Sequence, residues 1–121
     1  MSPAALLLIA VLSVHDGDTV TVNLPCDVAV VCAKMPVRIF GIDTPELRDK
    51  RPALKLLAQK ARARLIELTS SAHKVEMLAI SRDKYFRLDA HVYSDGVSVA
   101  KTLTDEGLAR PYFGAGPKPW Q

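Results

Sequence analysis

Charged residues suited to chemistry occur in three short motifs, each at the boundary of a strand-like run. The motifs are DGDT (16–19), IDTPE (42–46) and DKYFR (83–87). In the second motif, Asp43 and Glu46 directly follow an apolar run that contains a single arginine, Arg38. An arginine is costly among apolar neighbours unless it is paired or faces a site. The pattern therefore predicts a polar site at one end of a sheet.

The charges along the chain are separated in a way that suits the same interpretation. Residues 1–47 carry five acidic and two basic side chains, a balance of −3, whereas residues 48–64 carry seven basic and one acidic, a balance of +6. An acidic cluster followed by a basic segment suits a metal site that serves a polyanion. Polar turns and a solvated basic helix face explain the same residues equally simply, because each motif alone is a common turn sequence.

Length and composition indicate one soluble domain spanning residues 1–121, since 121 residues with 49% hydrophobic and 24% charged content can fold around one core. The apolar run at 4–14 lacks a charged n-region and leads straight into HDGDTV, so it is interpreted as a first strand rather than a signal peptide. This favours a cytoplasmic location over export. The sequence indicates no membrane partner and no obligate protein partner. Cys26 and Cys32 are compatible with a hairpin disulfide or with free thiols.

Hydrophobic periodicity and turn residues predict the element order. Strands are expected at 4–14, 19–24, 35–42, 73–80 and 85–93, with a loop at 25–34. A helix is expected to start at Pro52 and to end near 69–71, because apolar residues recur there at helical spacing. A short second helix at 98–107 is expected to end at Gly107, before an irregular tail at 113–121. This order is that of an α+β fold, a five-stranded OB-fold β-barrel with a helix between strands 3 and 4 and a short C-terminal helix.

Four ordered blocks resemble the staphylococcal nuclease-like, or thermonuclease, family. They are VHDGDTVTV, VRIFGIDTPE, DKYFR and DEGLARPY, which together extend from about residue 10 to residue 113. The resemblance implies an OB-fold barrel with the active site at one mouth. It also implies a calcium-dependent endonuclease that hydrolyses DNA and RNA with little sequence preference, favours single strands and leaves 5′-hydroxyl and 3′-phosphate ends.

The resemblance implies a role for each matching residue. Calcium (Ca2+) would be held by Asp18, Asp43 and the backbone carbonyl of Thr44, with Asp16 close by. Mixed carboxylate and carbonyl oxygens suit such a hard cation. The catalytic residues would be Glu46, as the general base, and the phosphate-gripping Arg38 and Arg87. The nucleotide would be bound by Lys84, Tyr85 and Tyr112.

Two departures from the family pattern and two rival functions accompany this interpretation. Phe86 stands where many relatives have glycine, and Asp89 stands where relatives often bury an apolar residue, so Asp89 is expected to pair with Arg87 or to lie outside the barrel. The first rival is a non-catalytic OB-fold nucleic-acid-binding module, which should have lost ligands or arginines that this chain retains. The second is a structural domain whose acidic turns bind calcium, which leaves Arg38 and Arg87 unexplained.

Overall fold

The computed structural model describes residues 6–120. Strands with alternating buried and exposed residues and one long amphipathic helix make up most of this range. The strands are β1 (Leu7–Asp16), β2 (Thr19–Asn23), β3 (Met35–Ile39), β4 (Ile42–Asp43), β5 (Val75–Arg82), β6 (Leu88–Ser94), β7 (Val97–Ser98) and β8 (Arg110–Pro111). The helices are α1 (Ala29–Cys32), α2 (Pro52–Ser70) and α3 (Val99–Asp105).

Five strands close into a barrel. They pair antiparallel in the order β3-β2-β1-β5-β6, and a parallel pairing between β3 and β6 completes the circle. In that closing pair Val37 lies opposite Leu88 and Ile39 lies opposite Ala90. Closure removes the exposed sheet edges that an open sheet would leave. The predicted α+β architecture, a five-stranded OB-fold barrel with α2 after the third strand and α3 near the end, is confirmed.

Alternation along β3 explains why the arginine is tolerated there. Met35, Val37 and Ile39 are buried in the barrel core, and the residues between them point to the other face. Each such core side chain contributes about 1.5–3 kcal/mol through burial. Arg38 therefore lies on the outer face of the barrel wall, next to Thr19 of β2, and its charge does not enter the core.

The predicted strand at 35–42 is wrong at its end, because β3 stops at Ile39. Gly41 has φ +89°, a left-handed conformation that glycine adopts without steric cost. The turn at Phe40 and Gly41 leads β4 away from the barrel, where it pairs with β8 instead. This second sheet places Asp43 opposite Arg110 and so brings the end of the described chain beside the IDTPE motif.

The fifth barrel strand also starts later than predicted, at Leu88 rather than Tyr85. The DKYFR segment forms a turn in which the Asp83 carboxylate accepts hydrogen bonds from the backbone N–H groups of Tyr85 and Arg87, at 2.9 and 3.1 Å. Phe86 lies at φ +64° within this turn. A phenylalanine is strained in that region. The glycine that many relatives have at this position would adopt the same conformation without steric cost.

The long helix matches its prediction closely. α2 starts at Pro52 and ends at Ser70, and its buried residues include Ala58, Ala61 and Leu65. The helix packs against β1, and Ala61 lies against Gly17 in the DGDT turn. α3 ends as predicted, before Gly107, which has φ +75°.

The remaining predictions concern the first strand, the loop at 25–34 and membrane-spanning segments. The first strand is confirmed from Leu7, and its predicted start at residues 4–5 lies outside the described residues. The predicted loop at 25–34 contains α1, and Cys26 is joined to Cys32 with their Cα atoms 5.9 Å apart. Among the described helices, none is both long and apolar enough to cross a membrane.

Candidate active site

The DGDT motif forms a tight turn between β1 and β2 that directs two carboxylates to one mouth of the barrel. Asp16 accepts a hydrogen bond from the backbone N–H of Asp18 at 3.1 Å. A Cβ atom at Gly17 would lie 2.7 Å from the Cβ of Ala61 on α2 and 2.8 Å from Cγ2 of Thr44. Glycine is therefore required here so that the turn can approach both the helix and the IDTPE segment.

The two acidic motifs are bonded to each other. The buried Asp18 carboxylate accepts a hydrogen bond from the backbone N–H of Thr44 at 3.2 Å and another from the Thr19 hydroxyl at 3.0 Å. Asp43 and Thr44 are themselves buried. The bond from Thr44 to Asp18 joins segments 26 residues apart, so the predicted metal-binding carboxylates converge through the fold.

Arg38 lies between these carboxylates. Its Nη2 atom is 3.9 Å from Oδ2 of Asp18 and 3.7 Å from Oδ1 of Asp43, and its side chain is 16% exposed. The guanidinium carbon also lies 5.9 Å from the centre of the Tyr112 ring. These separations leave guanidinium donors free to reach a substrate anion while the positive charge offsets two buried negative ones.

Burial and the nearby Asp18 raise the pKa values of two acidic residues, Asp16 and Asp43. Burial, reinforced by the neighbouring Asp18, raises the pKa of Asp16 to about 6. Burial and then the charge of Asp18 raise the pKa of Asp43, against the opposing charges of Lys118 and Arg38. Carboxylates that are hard to ionise together favour a bound cation.

The donor set fits a hard cation. It consists of oxygen atoms alone, from the Asp18 and Asp43 carboxylates and the backbone of Thr44, which calcium prefers to nitrogen or sulfur. In the range 6–120, no group of three or more His, Cys, Asp or Glu side chains has an arrangement that could hold a metal ion. Backbone oxygen would have to complete the shell, which is the role predicted for the Thr44 carbonyl. The Thr44 hydroxyl is buried and has no hydrogen-bond partner among the described residues, which leaves one more oxygen available.

Glu46 is exposed and lies between two recesses at the mouth. One recess has a volume of about 210 Å³. It is lined by Asp43, Thr44 and Glu46, together with Asp49, Arg51, Lys118 and Trp120. We call it the acidic recess. The other is lined by Asp16, Glu46 and Arg48 among others. A solvent-accessible carboxylate beside the buried pair can take a proton from water.

The remaining predicted residues line a third recess of about 490 Å³, the basic cleft. Its lining includes Arg38, Lys84, Tyr85, Arg87 and Tyr112. Basic groups that offer hydrogen bonds to phosphate thus lie beside aromatic rings that can stack on bases. Lys84 and Tyr85 lie on the exposed DKYFR turn, and the Lys84 ammonium is 5.2 Å from the centre of the Tyr85 ring.

Arg87 is oriented by Asp83 rather than by Asp89. Its Nε atom donates to Oδ2 of Asp83 at 2.8 Å. Burial alone would raise the pKa of Asp83, but the N–H groups of Arg87 and Tyr85 and the Arg87 charge hold it below its usual value. Asp89 instead lies opposite Arg38 in the β3–β6 pair and accepts a hydrogen bond from Ser81 at 3.3 Å. Of the two alternatives expected for Asp89, pairing with Arg87 is therefore not observed, whereas a position outside the barrel core is: Asp89 precedes the buried Ala90 on β6 and lines the basic cleft.

Comparison with known proteins decides the family. Residues 36–119 match the family described as staphylococcal nuclease homologue. The chain belongs to the staphylococcal nuclease family. It is 40% identical over 98 residues to the SPbeta prophage-derived endonuclease YokF of Bacillus subtilis and 39% identical over 98 residues to the endonuclease YncB of the same organism. Each alignment covers 78% of this chain but only 31% and 43%, respectively, of the relative, so the chain spans less than half the length of either.

Sequence reasoning missed the part of this candidate site that residues 114–120 contribute. These residues were expected to form an irregular tail, and they do lack regular secondary structure. Lys118 and Trp120 nevertheless line the acidic recess, and Lys118 also lines the basic cleft. One signal was present: Trp120 is the single tryptophan of the chain and stands in an otherwise small and polar Gly/Pro-rich segment.

Proposed function

We propose that this chain is a calcium-dependent nuclease that hydrolyses phosphodiester bonds of DNA and RNA with little sequence preference. One observation carries the proposal: two buried carboxylates, a guanidinium 3.7–3.9 Å from both and an exposed glutamate meet at one mouth, beside a cleft of basic and aromatic side chains. Membership of the staphylococcal nuclease family and the endonuclease relatives support the reaction class, and they favour cleavage at internal bonds.

The proposed reaction uses the chain's own residues in three roles. Glu46 takes a proton from the attacking water, a step that typically contributes 10²–10⁴-fold. Arg38 and Arg87 donate N–H groups to the non-bridging phosphate oxygens, where charge develops in the transition state. Asp18, Asp43 and the Thr44 carbonyl would hold Ca2+, which when bound would supply Lewis-acid stabilisation of that charge.

Aromatic side chains in the cleft support the proposed substrate class. Tyr85 and Tyr112 offer rings on which bases can stack, and stacking contributes about 1–3 kcal/mol per base without reading sequence. Stacking requires unpaired bases, so single-stranded DNA and RNA are the proposed substrates. The proposed cleavage breaks the bond between phosphorus and O5′, in keeping with the motif resemblance, and leaves a 3′-phosphate and a 5′-hydroxyl.

A digestion assay tests the proposal directly. Labelled single-stranded DNA and RNA are incubated with the protein in calcium, in magnesium and in chelator, and the product ends are identified by their response to phosphatase and kinase. We expect cleavage with calcium, weaker cleavage with magnesium and none with chelator, because the larger ion suits mixed ligation. Full activity in chelator would contradict the metal site.

Glu46→Gln separates catalysis from binding. The amide keeps the size and hydrogen-bonding capacity of the side chain but is not a base, so kcat should fall at least 10²-fold while oligonucleotide affinity is retained. Glu67→Gln on the exposed face of α2 is the matched control and should cleave normally. Binding by the wild-type chain without cleavage would favour the non-catalytic OB-fold module instead.

A further inference from the structure

Residues 114–120, which we call the strap, return across the mouth of the barrel and are anchored there. The Trp120 indole N–H donates to the backbone carbonyl of Asp43 at 2.8 Å, and the Trp120 carbonyl accepts from Arg51 at 2.9 Å. Arg110 donates to the Pro119 carbonyl at 2.9 Å, and its guanidinium lies 3.8 Å from the centre of the Trp120 ring. These contacts fix Pro119 and Trp120, at the end of a segment that has no regular secondary structure, directly after Lys118.

The anchored strap holds Lys118 where two recesses meet. Lys118 lines the acidic recess with Asp43 and Glu46, and it lines the basic cleft with Arg38 and Arg87. Its side chain is exposed. Among the described residues, no carboxylate lies within ion-pair distance of its ammonium group. The charge is therefore available to a ligand that extends from one recess into the other.

We propose that Lys118 is a substrate-binding residue that contacts a backbone phosphate of the nucleic acid, and that Trp120 is the residue that positions it. The proposal rests on the proposed function, since it assigns a further contact to the same cleft. Glu46 lines the acidic recess and Arg38 lines the basic cleft, and Lys118 is the residue that lines both, so a strand that extends from one to the other comes within its reach. An ammonium group suits this role because it binds phosphate as a point charge without demanding one orientation.

Binding measured without catalysis tests the lysine. A fluorescently labelled single-stranded oligonucleotide is titrated in chelator at several salt concentrations with wild type, Lys118→Ala and the control Lys101→Ala. Lys101 is an exposed lysine on α3 that bonds to Asp105 and lines neither recess. Loss of one phosphate contact should weaken binding about three- to tenfold at low salt and flatten the slope of log K against log salt by about 0.7. Lys101→Ala should leave the slope unchanged.

A double-mutant cycle tests the positioning role of Trp120. Trp120→Phe removes the hydrogen bond to Asp43 but keeps an aromatic ring beside Arg110. If Trp120 acts through Lys118, this change weakens binding in the wild-type background and has little further effect in the Lys118→Ala background. Additive losses would contradict positioning and would mean that Trp120 acts independently.

The outcomes for Lys118 and for the proposed hydrolysis are separable. If the wild type cleaves calcium-loaded substrate but Lys118→Ala keeps the wild-type salt slope, the lysine assignment is wrong and the nuclease proposal stands. If the wild type binds without cleaving and Lys118→Ala flattens the slope of log K against log salt as predicted, the lysine assignment holds and hydrolysis is excluded. A fall in kcat at saturating substrate, with unchanged affinity, would also overturn Lys118 as a binding residue.

Discussion

At the scale of single residues, Arg38 explains how the two halves of the site are joined. Its position on β3 is fixed by core neighbours on either side, and its guanidinium reaches two carboxylates and one tyrosine ring from the outer face. Arg87 reaches the same cleft from a different strand end and is held by Asp83. The two arginines therefore have different supports but line the same cleft.

Replacing either arginine by lysine tests whether its geometry matters. Arg38→Lys and Arg87→Lys keep the charge but lose the planar fork, so kcat should fall about 10²–10³-fold while the affinity changes far less. The matched control is Arg82→Lys, because Arg82 is exposed over the Phe86 ring and lines neither the acidic recess nor the basic cleft. Steady-state kinetics on single-stranded DNA check this. Normal turnover with weakened binding would reassign both arginines as binding contacts.

Asp16 predicts a pH dependence of stability in the metal-free protein. Its pKa is raised from 3.8 to about 6 in the folded state, mainly by burial. The folded chain therefore binds more protons than the unfolded chain between about pH 4 and 6, and its stability falls as the pH rises through that window. Asp16→Asn keeps the acceptor for the Asp18 N–H but cannot ionise. At pH 7 it should be more stable than wild type by about 1–2 kcal/mol after discounting for partial exposure.

Urea unfolding in chelator at pH 4, 5, 6 and 7 measures this difference. The two proteins should differ least at pH 4 and most at pH 7, because the wild type loses its contribution only as Asp16 ionises. Parallel curves for wild type and Asp16→Asn over the whole range would show that this carboxyl group has an ordinary pKa.

At the scale of elements, the contact between the DGDT turn and α2 sets the depth of the acidic recess. Gly17→Ala would place a Cβ atom 2.7 Å from Ala61 and 2.8–2.9 Å from the Thr44 side chain, so backbone atoms must move. We expect a loss of about 1–3 kcal/mol in the free energy of unfolding, together with weaker cleavage, because Thr44 and Asp18 share the hydrogen bond that aligns the carboxylates.

Thermal unfolding of a double-mutant cycle isolates the helix contact from other effects. Ala61→Gly alone should destabilise α2 by about 0.5–1 kcal/mol through helix propensity. Combined with Gly17→Ala it should cost less than the sum, since it removes the nearest clash. Additive losses would show that α2 does not limit the approach of the turn.

At the scale of the whole molecule, the charge is arranged as an acidic mouth bordered by basic residues on α2. Lys55 is exposed on α2, one turn after Arg51, which lines the acidic recess. Arg62, in contrast, donates to the Val14 carbonyl at 3.2 Å and so also ties the helix to β1. Lys55 is therefore the cleaner position at which to examine long-range attraction of a polyanion.

Lys55→Glu should lower kcat/KM for every single-stranded sequence and leave kcat at saturation unchanged, because it removes attraction without touching the reacting groups. The effect should be largest at low salt and should fade as ionic strength rises. Lys101→Glu, an equal charge change on α3, is the control and should have a smaller effect. Equal losses for both variants would mean that net charge alone, and not the α2 surface, governs association.

The sequence by itself determined the elements that local patterns specify. α2 was predictable because its apolar spacing, its first proline and its polar end all lie within one segment, and β1 and β2 were predictable from alternation around a glycine turn. The candidate site residues were predicted from short, contiguous motifs, and the structure brings them to the recesses at one mouth of the barrel. Strand boundaries were predicted less well, because Gly41 and the strained Phe86 end strands through backbone conformations that the apolar pattern does not contain.

Only the tertiary structure decided which distant segments meet. The parallel pairing of β3 with β6 closes the barrel and places Asp89 opposite Arg38. Arg87 donates its hydrogen bond to Asp83 instead of to Asp89. The strap reaches Asp43 across 77 residues through a single indole hydrogen bond. Such contacts depend on chain closure over long loops, whose free-energy cost is repaid only by the assembled barrel. The local sequence pattern does not predict these long-range contacts. The positions of Lys118 and Trp120 beside the candidate site therefore followed only from the folded structure.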